Sequence, residues 1–249
     1  MTCCPKNNFF LVADNKMKNI FQLYAKQISL KFLIVTIIFI CALILFVLLA
    51  HEAVLENEDT FDRTVHNFVV RHSFPGLIKF MESATFFGSS YFLLPAYSVV
   101  ISYLCFRKRI RDAVDISVIA VSSFAVVFFL KLLFHRSRPD LPIIKGLVTY
   151  SFPSGHSLSS FIFCSILGYL ISKSRITQIH KLLLIAVLCI LTLTVGISRI
   201  VLNVHYATDV IAGFCFGVIW VIFSFWLIHH LFPYSPQILS GKSPADQSS

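Results

Sequence analysis

Charged residues are scarce in this chain of 249 residues, of which Asp, Glu, Lys and Arg together make up 13%. That share is about half of the usual one for soluble domains. Apolar residues make up 57%, and the mean hydropathy is +0.80. A water-soluble fold of this size has too small an interior to hide so much apolar surface. The composition therefore excludes a soluble, disordered, collagen-like or disulfide-scaffold chain, and it indicates an integral membrane protein with one compact domain.

The seven cysteines form no Cys-x-x-Cys pair and no Cys/His spacing typical of a metal site. Five of them lie in apolar runs, where Cys behaves as a small hydrophobic residue. The other two, Cys3 and Cys4, lie in the polar N-terminal tail. The sequence thus indicates neither a disulfide framework nor a zinc site, and we expect no metal and no other cofactor. No cleavable signal peptide is expected either, because the first apolar run begins only near Phe32.

The net charge is +9, from 21 Lys and Arg against 12 Asp and Glu. No basic stretch is interleaved with base-stacking aromatic residues, so we expect no nucleic-acid partner. The basic residues lie instead in short segments beside apolar runs, where they act as orientation signals for membrane insertion.

Six apolar runs have about the length that a transmembrane helix needs. They are residues 32–50, 86–106 (with a kink predicted at Pro95), 116–134, 157–172, 182–198 and 210–228. The sequence therefore predicts an all-α integral membrane protein with six transmembrane helices. We expect a cytoplasmic N-terminal tail at 1–29, a six-helix membrane domain at 30–231 and a cytoplasmic, disordered C-terminal tail at 232–249.

The orientation follows from where Lys and Arg are concentrated. They occur in the N-terminal tail, in the segments after the second and fourth runs, and in the C-terminal tail, as Lys6, Lys16, Lys18, Lys26, Lys31, Arg107, Lys108, Arg109, Arg111, Lys173, Arg175, Lys181 and Lys242. With an even number of spans, all of these segments fall on one side, which we assign to the cytoplasm of a cell (inner) membrane.

Residues 51–85, on the opposite side, begin with an acidic stretch. Asp59 or Thr60 is predicted to cap a helix whose apolar face carries Phe61, Val65, Phe68 and Val69, and Pro75-Gly76 breaks the pattern. We expect a periplasmic-side amphipathic helix that lies on the membrane surface.

Ionisable residues at the edge of a bilayer are costly, so each is a candidate for function. Six of them cluster at the non-cytoplasmic ends of the last four spans: Lys131, Arg138, His156, Arg199, His205 and Asp209. Lys131, Arg138 and Arg199 supply three cations that suit phosphate oxygens. Ser154 and Gly155 begin a helix whose free N–H groups and dipole favour an anion. These five residues predict a phosphate cradle.

His205 and Asp209 stand four residues apart, so they share a face of a helix. Asp209 can then fix the tautomer of His205 and leave its other nitrogen as a nucleophile, while His156 acts as the general acid. Each of these residues also has an ordinary structural explanation when it is considered alone. A Lys near a helix end extends to the interface, a His at a helix start acts as a cap, and a His–Asp pair serves the structure. A serine hydrolase built on Ser154 lacks the Gly-x-Ser-x-Gly elbow.

The spacing Lys131-x6-Arg138-Pro139, followed by Pro153-Ser154-Gly155-His156 and by Ser198-Arg199-x5-His205-x3-Asp209, resembles the three-part signature of the type 2 phosphatidic acid phosphatase superfamily. The resemblance implies a six-helix core with its active site at the outer membrane face. It also implies metal-independent hydrolysis of a phosphoester or pyrophosphate through a phosphohistidine. By position, His205 is the nucleophile, Asp209 orients it and His156 is the acid, whereas Lys131, Arg138, Ser154, Gly155 and Arg199 hold the phosphate.

We therefore expect a lipid phosphatase acting on phosphatidylglycerol phosphate, phosphatidic acid or undecaprenyl pyrophosphate. The expected partners are the phosphorylated lipid and the bilayer, and no protein partner is inferred. The alternatives are a lipid phosphotransferase, a phosphatase of soluble esters such as glucose 6-phosphate, and a non-catalytic lipid-binding protein. Vanadium haloperoxidases share the signature, but they are soluble and larger. Three further residues, His135, Arg136 and Lys145, are interpreted as headgroup contacts or as solvated loop charges.

Overall fold

The computed structural model describes residues 30–53, 60–144, 146 and 149–231. The predicted tails at 1–29 and 232–249, with Cys3 and Cys4, lie outside these residues, as do Asp59 and Lys145. The chain divides into two compact units, Met1–Cys41 and Ala42–Ser249. Helix α1 begins in the first unit, and all of the later helices belong to the second.

Every regular element of the described residues is helical. The helices are α1 (Leu30–Ala53), α2 (Thr60–His72), α3 (Pro75–Thr85), a 3-10 turn (Phe86–Gly88), α4 (Ser90–Phe106), α5 (Ile110–Phe134), α6 (Gly155–Ser172), α7 (Gln178–Val201) and α8 (Ala207–Leu231).

Five of these helices, α1, α5, α6, α7 and α8, are long and apolar enough to cross a membrane. A sixth span results if Pro75–Gly88 and Ser90–Phe106, which meet at 44°, count as one. The all-helical membrane fold expected from the sequence is thus confirmed. The bend lies at the break before Ser90, where Ser89 caps α4 by accepting the Phe92 N–H at 3.4 Å, and α4 itself continues through Pro95.

Helix α5 begins at Ile110, six residues before the predicted run at 116. Its first turns carry charged residues, and Arg109 pairs with Asp112 at 2.8 Å. Charges are compatible with a helix but not with hydrocarbon, so an apolar run marks the membrane part of a helix rather than its start.

Residues 60–85 form two helices, because Pro75 lacks an N–H donor and fits the first turn of a new helix. Phe61 and Phe68 of α2 are exposed, with relative accessibilities of 49% and 62%. The residue that α2 buries is Asp62, at 2%. Helix α2 packs against α7 and α8, and α3 packs along α7.

Helix α6 lies at the centre of the fold and packs against α4, α5, α7 and α8. Its core neighbours include Leu93, Tyr97 and Ile116, which are buried. Gly213 of α8 allows a close approach to the start of α6, since a Cβ there would lie 2.8 Å from the Ser154 carbonyl oxygen. The tight packing fixes the beginnings of α6 and α8 beside each other at one end of the bundle.

Candidate active site

Four helix ends meet at this end of the bundle, and they carry most of the predicted site residues. Lys131 lies in the last turn of α5 and Arg199 in the last turn of α7. His156 and Asp209 lie in the first turns of α6 and α8. The short segments between the helices contribute the rest, including Arg138 and His205.

His205 is held by a network around its Nδ1 atom. Nδ1 lies 3.3 Å from Asp209 Oδ2 and 3.3 Å from Ser151 Oγ. Ser151 also donates to Asp209 Oδ2, which in addition accepts the Tyr206 N–H at 3.0 Å. A carboxylate at Nδ1 favours the tautomer with the proton there, so the Nε2 lone pair is left for chemistry.

His205 is 3% exposed, and its pKa lies well below the ordinary value. Burial is the main cause, followed by the positive charges of Lys131, Arg199 and Arg138. The ring is therefore neutral at neutral pH, which is the form that a nucleophile needs.

Arg138 is held by hydrogen bonds to two loop segments. Its Nε and Nη2 donate to the Thr149 carbonyl and hydroxyl oxygens at 2.8 and 3.0 Å, and Nη1 donates to the Val204 carbonyl at 2.7 Å. Nη1 also lies 3.4 Å from His205 Nε2. Burial lowers the pKa of Arg138, and the charge of Asp209 opposes that effect. The guanidinium thus stands beside the nitrogen that would attack a phosphorus atom.

Arg199 and Lys131 complete the cationic group. Arg199 is 2% exposed and donates from Nη1 to Thr85 Oγ1 at 2.6 Å, whereas its buried Nε has no hydrogen-bond partner among the described residues. Lys131 donates from Nζ to the Tyr150 carbonyl. A buried guanidinium N–H without an acceptor is costly, so a bound anion would stabilise this arrangement.

Ser154 and Gly155 shape the start of α6. Ser154 is its N-cap: Oγ accepts the Ser157 N–H at 3.5 Å and the Ser157 hydroxyl at 2.9 Å. A Cβ on Gly155 would lie 3.2 Å from Val127 Cγ1, so this glycine also permits close packing of α5 and α6. Both bonds use the Ser154 oxygen as an acceptor, so its O–H and the free backbone N–H groups of the first turn are the donors that α6 can offer to an anion.

Arg136 is neither a solvated loop charge nor a surface headgroup contact, and that interpretation was wrong. It is 3% exposed and pairs with Asp209 at 2.7 Å and with Asp62 at 2.9 Å. Burial acts to lower its pKa, but the two carboxylates raise it above the ordinary value. His135 is exposed and ends α5 in a left-handed conformation.

Sequence reasoning missed Asp62, Ser151 and the role of Arg136. Asp62 belongs to the acidic stretch near the start of residues 51–85, where nothing in the sequence sets it apart from its neighbours, and Ser151 has no motif of its own. Its position three residues before Ser154 was the only available signal. Among the described residues, no group of three or more His, Cys, Asp or Glu side chains is placed to hold a metal ion.

Residues 112–233 match the sequence model of the PAP2 superfamily. Phosphatidylglycerophosphatase B of Bacillus subtilis is 28% identical over 180 residues, which are 72% of this chain and 89% of that relative. The probable lipid phosphate phosphatase 4 of Arabidopsis thaliana is 35% identical over 99 residues, which cover 38% of this chain and 31% of that protein.

Two solved structures share the fold. The crystal structure of a transmembrane PAP2-type phosphatidylglycerolphosphate phosphatase from Bacillus subtilis aligns with a TM-score of 0.71 at 24% identity, covering 79% of this chain and 98% of that one. Aquifex aeolicus LpxE aligns with a TM-score of 0.55 at 23% identity, covering 69% and 98%.

Proposed function

We propose that this chain is a phosphatase of the PAP2 superfamily, whose sequence model its residues 112–233 match, and that it removes a phosphate from membrane lipids through a phosphohistidine on His205. The observation that carries this proposal is the placement of the His205 ring. Nδ1 lies 3.3 Å from the Asp209 carboxylate, and Nε2 lies 3.4 Å from the Arg138 guanidinium. The attacking nitrogen and a phosphate-binding cation are thus side by side.

The reaction then has two balanced steps. Nε2 of His205 forms a bond to phosphorus as the bond from phosphorus to the lipid oxygen breaks, and His156 gives that oxygen a proton. His156 next takes a proton from water, which attacks the phosphohistidine and releases inorganic phosphate and the free ring. Asp209 stabilises the positive ring of the intermediate, and no metal or cofactor enters either step.

Lys131, Arg138 and Arg199 hold the phosphate and balance its charge. Arg199 Nε, which lacks a partner, gains an acceptor when a phosphate oxygen binds. The start of α6 supplies N–H donors and the positive end of a helix dipole. Such fixed donors stabilise the charge that develops at the transition state without reorganisation.

An apolar groove of about 620 Å³ between α6 and α7 favours a lipid over a soluble ester. Its lining includes Phe161 and Gly168 of α6 and Leu188 and Leu193 of α7. At 1.5 Å per residue, Phe161 and Gly168 lie about 8 and 18 Å from His156 along the axis of α6. This groove is therefore at the depth of the hydrocarbon chains, and we assign it to a chain of the substrate.

The similarity to phosphatidylglycerophosphatase B over 89% of that relative makes phosphatidylglycerol phosphate the first substrate to test. Phosphate release by the purified protein is measured with phosphatidylglycerol phosphate, phosphatidic acid, undecaprenyl pyrophosphate and glucose 6-phosphate. We expect a higher kcat/KM for at least one lipid than for the sugar phosphate. A higher value for the sugar phosphate would overturn the assignment to lipids.

The groove has its own test. A Cβ at Gly168 meets no heavy atom within 4 Å beyond its own helix backbone, so the side chain of Gly168→Leu begins in open space and is expected to fill part of the groove. KM should rise for long-chain phosphatidic acid and stay within about twofold for the dihexanoyl form, which is too short to reach Gly168. Equal effects on both substrates would remove the groove from the binding site.

We place the active site on the non-cytoplasmic side. The loop after α4 (Arg107 to Arg109) and the loop after α6 lie at the opposite end of the bundle from His205, and both are rich in Lys and Arg. Helix α2, with Phe61 and Phe68 exposed, would then rest on the outer membrane surface beside the site.

A further inference from the structure

Asp62 is a buried carboxylate that comes from outside the cluster of helix ends. It lies in α2, it is 2% exposed, and both of its oxygens are engaged. Oδ1 accepts the backbone N–H of Thr208 at 2.9 Å, and Oδ2 accepts the Thr208 hydroxyl at 2.6 Å. Thr208 is the second residue of α8, so its N–H is one of the donors that a helix cannot satisfy internally. Asp62 therefore caps α8 from a different helix.

Arg136 connects this cap to Asp209. Its Nη2 donates to Asp62 Oδ2 at 2.9 Å, and its Nη1 donates to Asp209 Oδ1 at 2.7 Å and to Thr208 Oγ1 at 2.7 Å. The guanidinium also lies 4.2 Å from the centre of the Tyr206 ring. The planar fork of Arg136 thus spans two carboxylates and holds both in fixed orientations.

The bond from Arg136 decides which Asp209 oxygen serves His205. Oδ1 is occupied by the guanidinium, so Oδ2 is the oxygen that faces His205 Nδ1 and accepts from Ser151. Without Asp62, Arg136 loses one of the two carboxylates that its fork spans, and the orientation that it imposes on Asp209 is held less firmly. The phosphate-binding cations do not contact Asp62 in any of these bonds.

We infer that Asp62 is a positioning residue for the phosphatase reaction, acting through Arg136 on Asp209 so that Oδ2 stays aimed at His205. The inference rests on the proposed function, since it assigns Asp62 to the turnover of His205. It also gives α2 a role in catalysis, because this helix completes the support of the active site from outside the signature motifs.

The first test compares Asp62→Asn with wild type and with Glu82→Gln, a variant that removes one exposed carboxylate on the neighbouring α3. Asp62→Asn should lower kcat by at least about tenfold, because small displacements of reacting groups cost that much, and KM should change less than about twofold. The inhibition constant for inorganic phosphate should also stay within about twofold, because phosphate binds the cations without forming a bond to His205. Glu82→Gln should match wild type. An unchanged kcat, or a phosphate affinity that falls as far as kcat, overturns the inference.

The second test separates positioning from general stability. In an Asp209→Ala background the group through which Asp62 acts is gone, so adding Asp62→Asn should change the residual kcat by less than about twofold. A further tenfold loss there would mean that Asp62 acts elsewhere. Asp62→Glu, which keeps the charge, should recover part of the rate, and no recovery counts against the inference.

Wild type and His205→Ala are measured in the same series of phosphate-release assays. If wild type releases no phosphate, or if His205→Ala keeps its rate, the proposed function itself fails. If both behave as proposed and Asp62→Asn keeps its kcat, only the positioning role of Asp62 fails.

Discussion

Gly88 lies directly against His156: a Cβ added at Gly88 would come 3.1 Å from His156 Cβ and 3.2 Å from its Cδ2. The same Cβ would come 2.5 Å from Cγ1 of Val195, which is buried in α7 and has no room to move. The 3-10 turn before α4 thus forms one wall of the pocket that holds the His156 ring.

Gly88→Ala should therefore lower the rate by displacing His156. We expect a loss of about tenfold or more in kcat, because His156, the proposed general acid, is moved from the leaving oxygen. The double variant Gly88→Ala/Val195→Ala, which removes the worst contact, should regain part of the loss. Gly76→Ala is the matched control, since only the exposed Phe74 ring lies near it, and a loss of the same size there would refute the role of the Gly88 contact.

His205→Ala should abolish phosphate release while the protein still inserts into the membrane. Asp209→Asn keeps the His205 ring but loses control of its tautomer. A weak rate should remain, lower than that of wild type by about a thousandfold or more. Protein quenched in alkaline detergent during turnover of lipid labelled with ³²P at the released phosphate should carry label in wild type and none in His205→Ala, because the phosphorus–nitrogen bond of phosphohistidine survives base but not acid. More than a few per cent of the wild-type rate in His205→Ala would exclude the covalent mechanism.

The pH profile follows from the lowered pKa of His205. In the proposed mechanism the neutral ring is the nucleophile, so the acid limb of the kcat/KM profile, which reports the free enzyme, should lie well below pH 6.5, the ordinary value. Lys131→Met removes one of the charges that lower this pKa, so the acid-side loss should begin at a higher pH. Lys79→Met, on the exposed side of α3, should leave the profile unchanged.

The lowered pKa of His205 also makes the folding stability depend on pH, and the stability falls toward acid pH, as the rate does. Because its pKa is lower in the folded chain than in the unfolded one, the unfolded chain binds the proton more tightly. The contribution is complete above about pH 6.5 and is lost as the pH falls toward the folded-state pKa. The measurement is the free energy of unfolding as a function of pH. If wild type already lost the His205 contribution at or above pH 6.5, this account would be contradicted.

Metal chelation should leave activity unchanged, because in the proposed mechanism Lys131, Arg138 and Arg199 balance the phosphate charge. EDTA is expected to have no effect, and orthovanadate is expected to inhibit competitively. Arg199→Lys keeps the charge but lacks the Nε donor, so the vanadate inhibition constant should rise by about tenfold. Strict dependence on Mg²⁺ would require a different mechanism.

The sidedness is tested by cysteine labelling in a variant whose native Cys are replaced. Asp140→Cys, in the loop near His205, should react with an impermeant thiol reagent added to intact cells. Arg175→Cys, in the loop between α6 and α7, should react only after the membrane is opened. The reverse pattern would place the active site on the cytoplasmic side.

The amino-acid sequence by itself determined the membrane class, the positions of the spans and the identity of the residues that meet around His205. Apolar run length reports directly on the cost of burying polar groups in hydrocarbon, and alternating spans bring every second helix end to the same side. The charges at those ends are too costly to be accidental, so Lys131, Arg138, Arg199 and the two histidines could be chosen without coordinates.

Only the tertiary structure decided what Asp62, Arg136 and Gly88 do. Asp62 and Arg136 are 74 residues apart in the sequence, and Arg136 and Asp209 are 73 residues apart, so no local pattern relates them. A charged residue in an amphipathic helix is usually assigned to solvent, because an isolated buried charge is too costly. Here the two carboxylates and the guanidinium offset that cost for each other, and this balance exists only once α2, the loop after α5 and the start of α8 have come together.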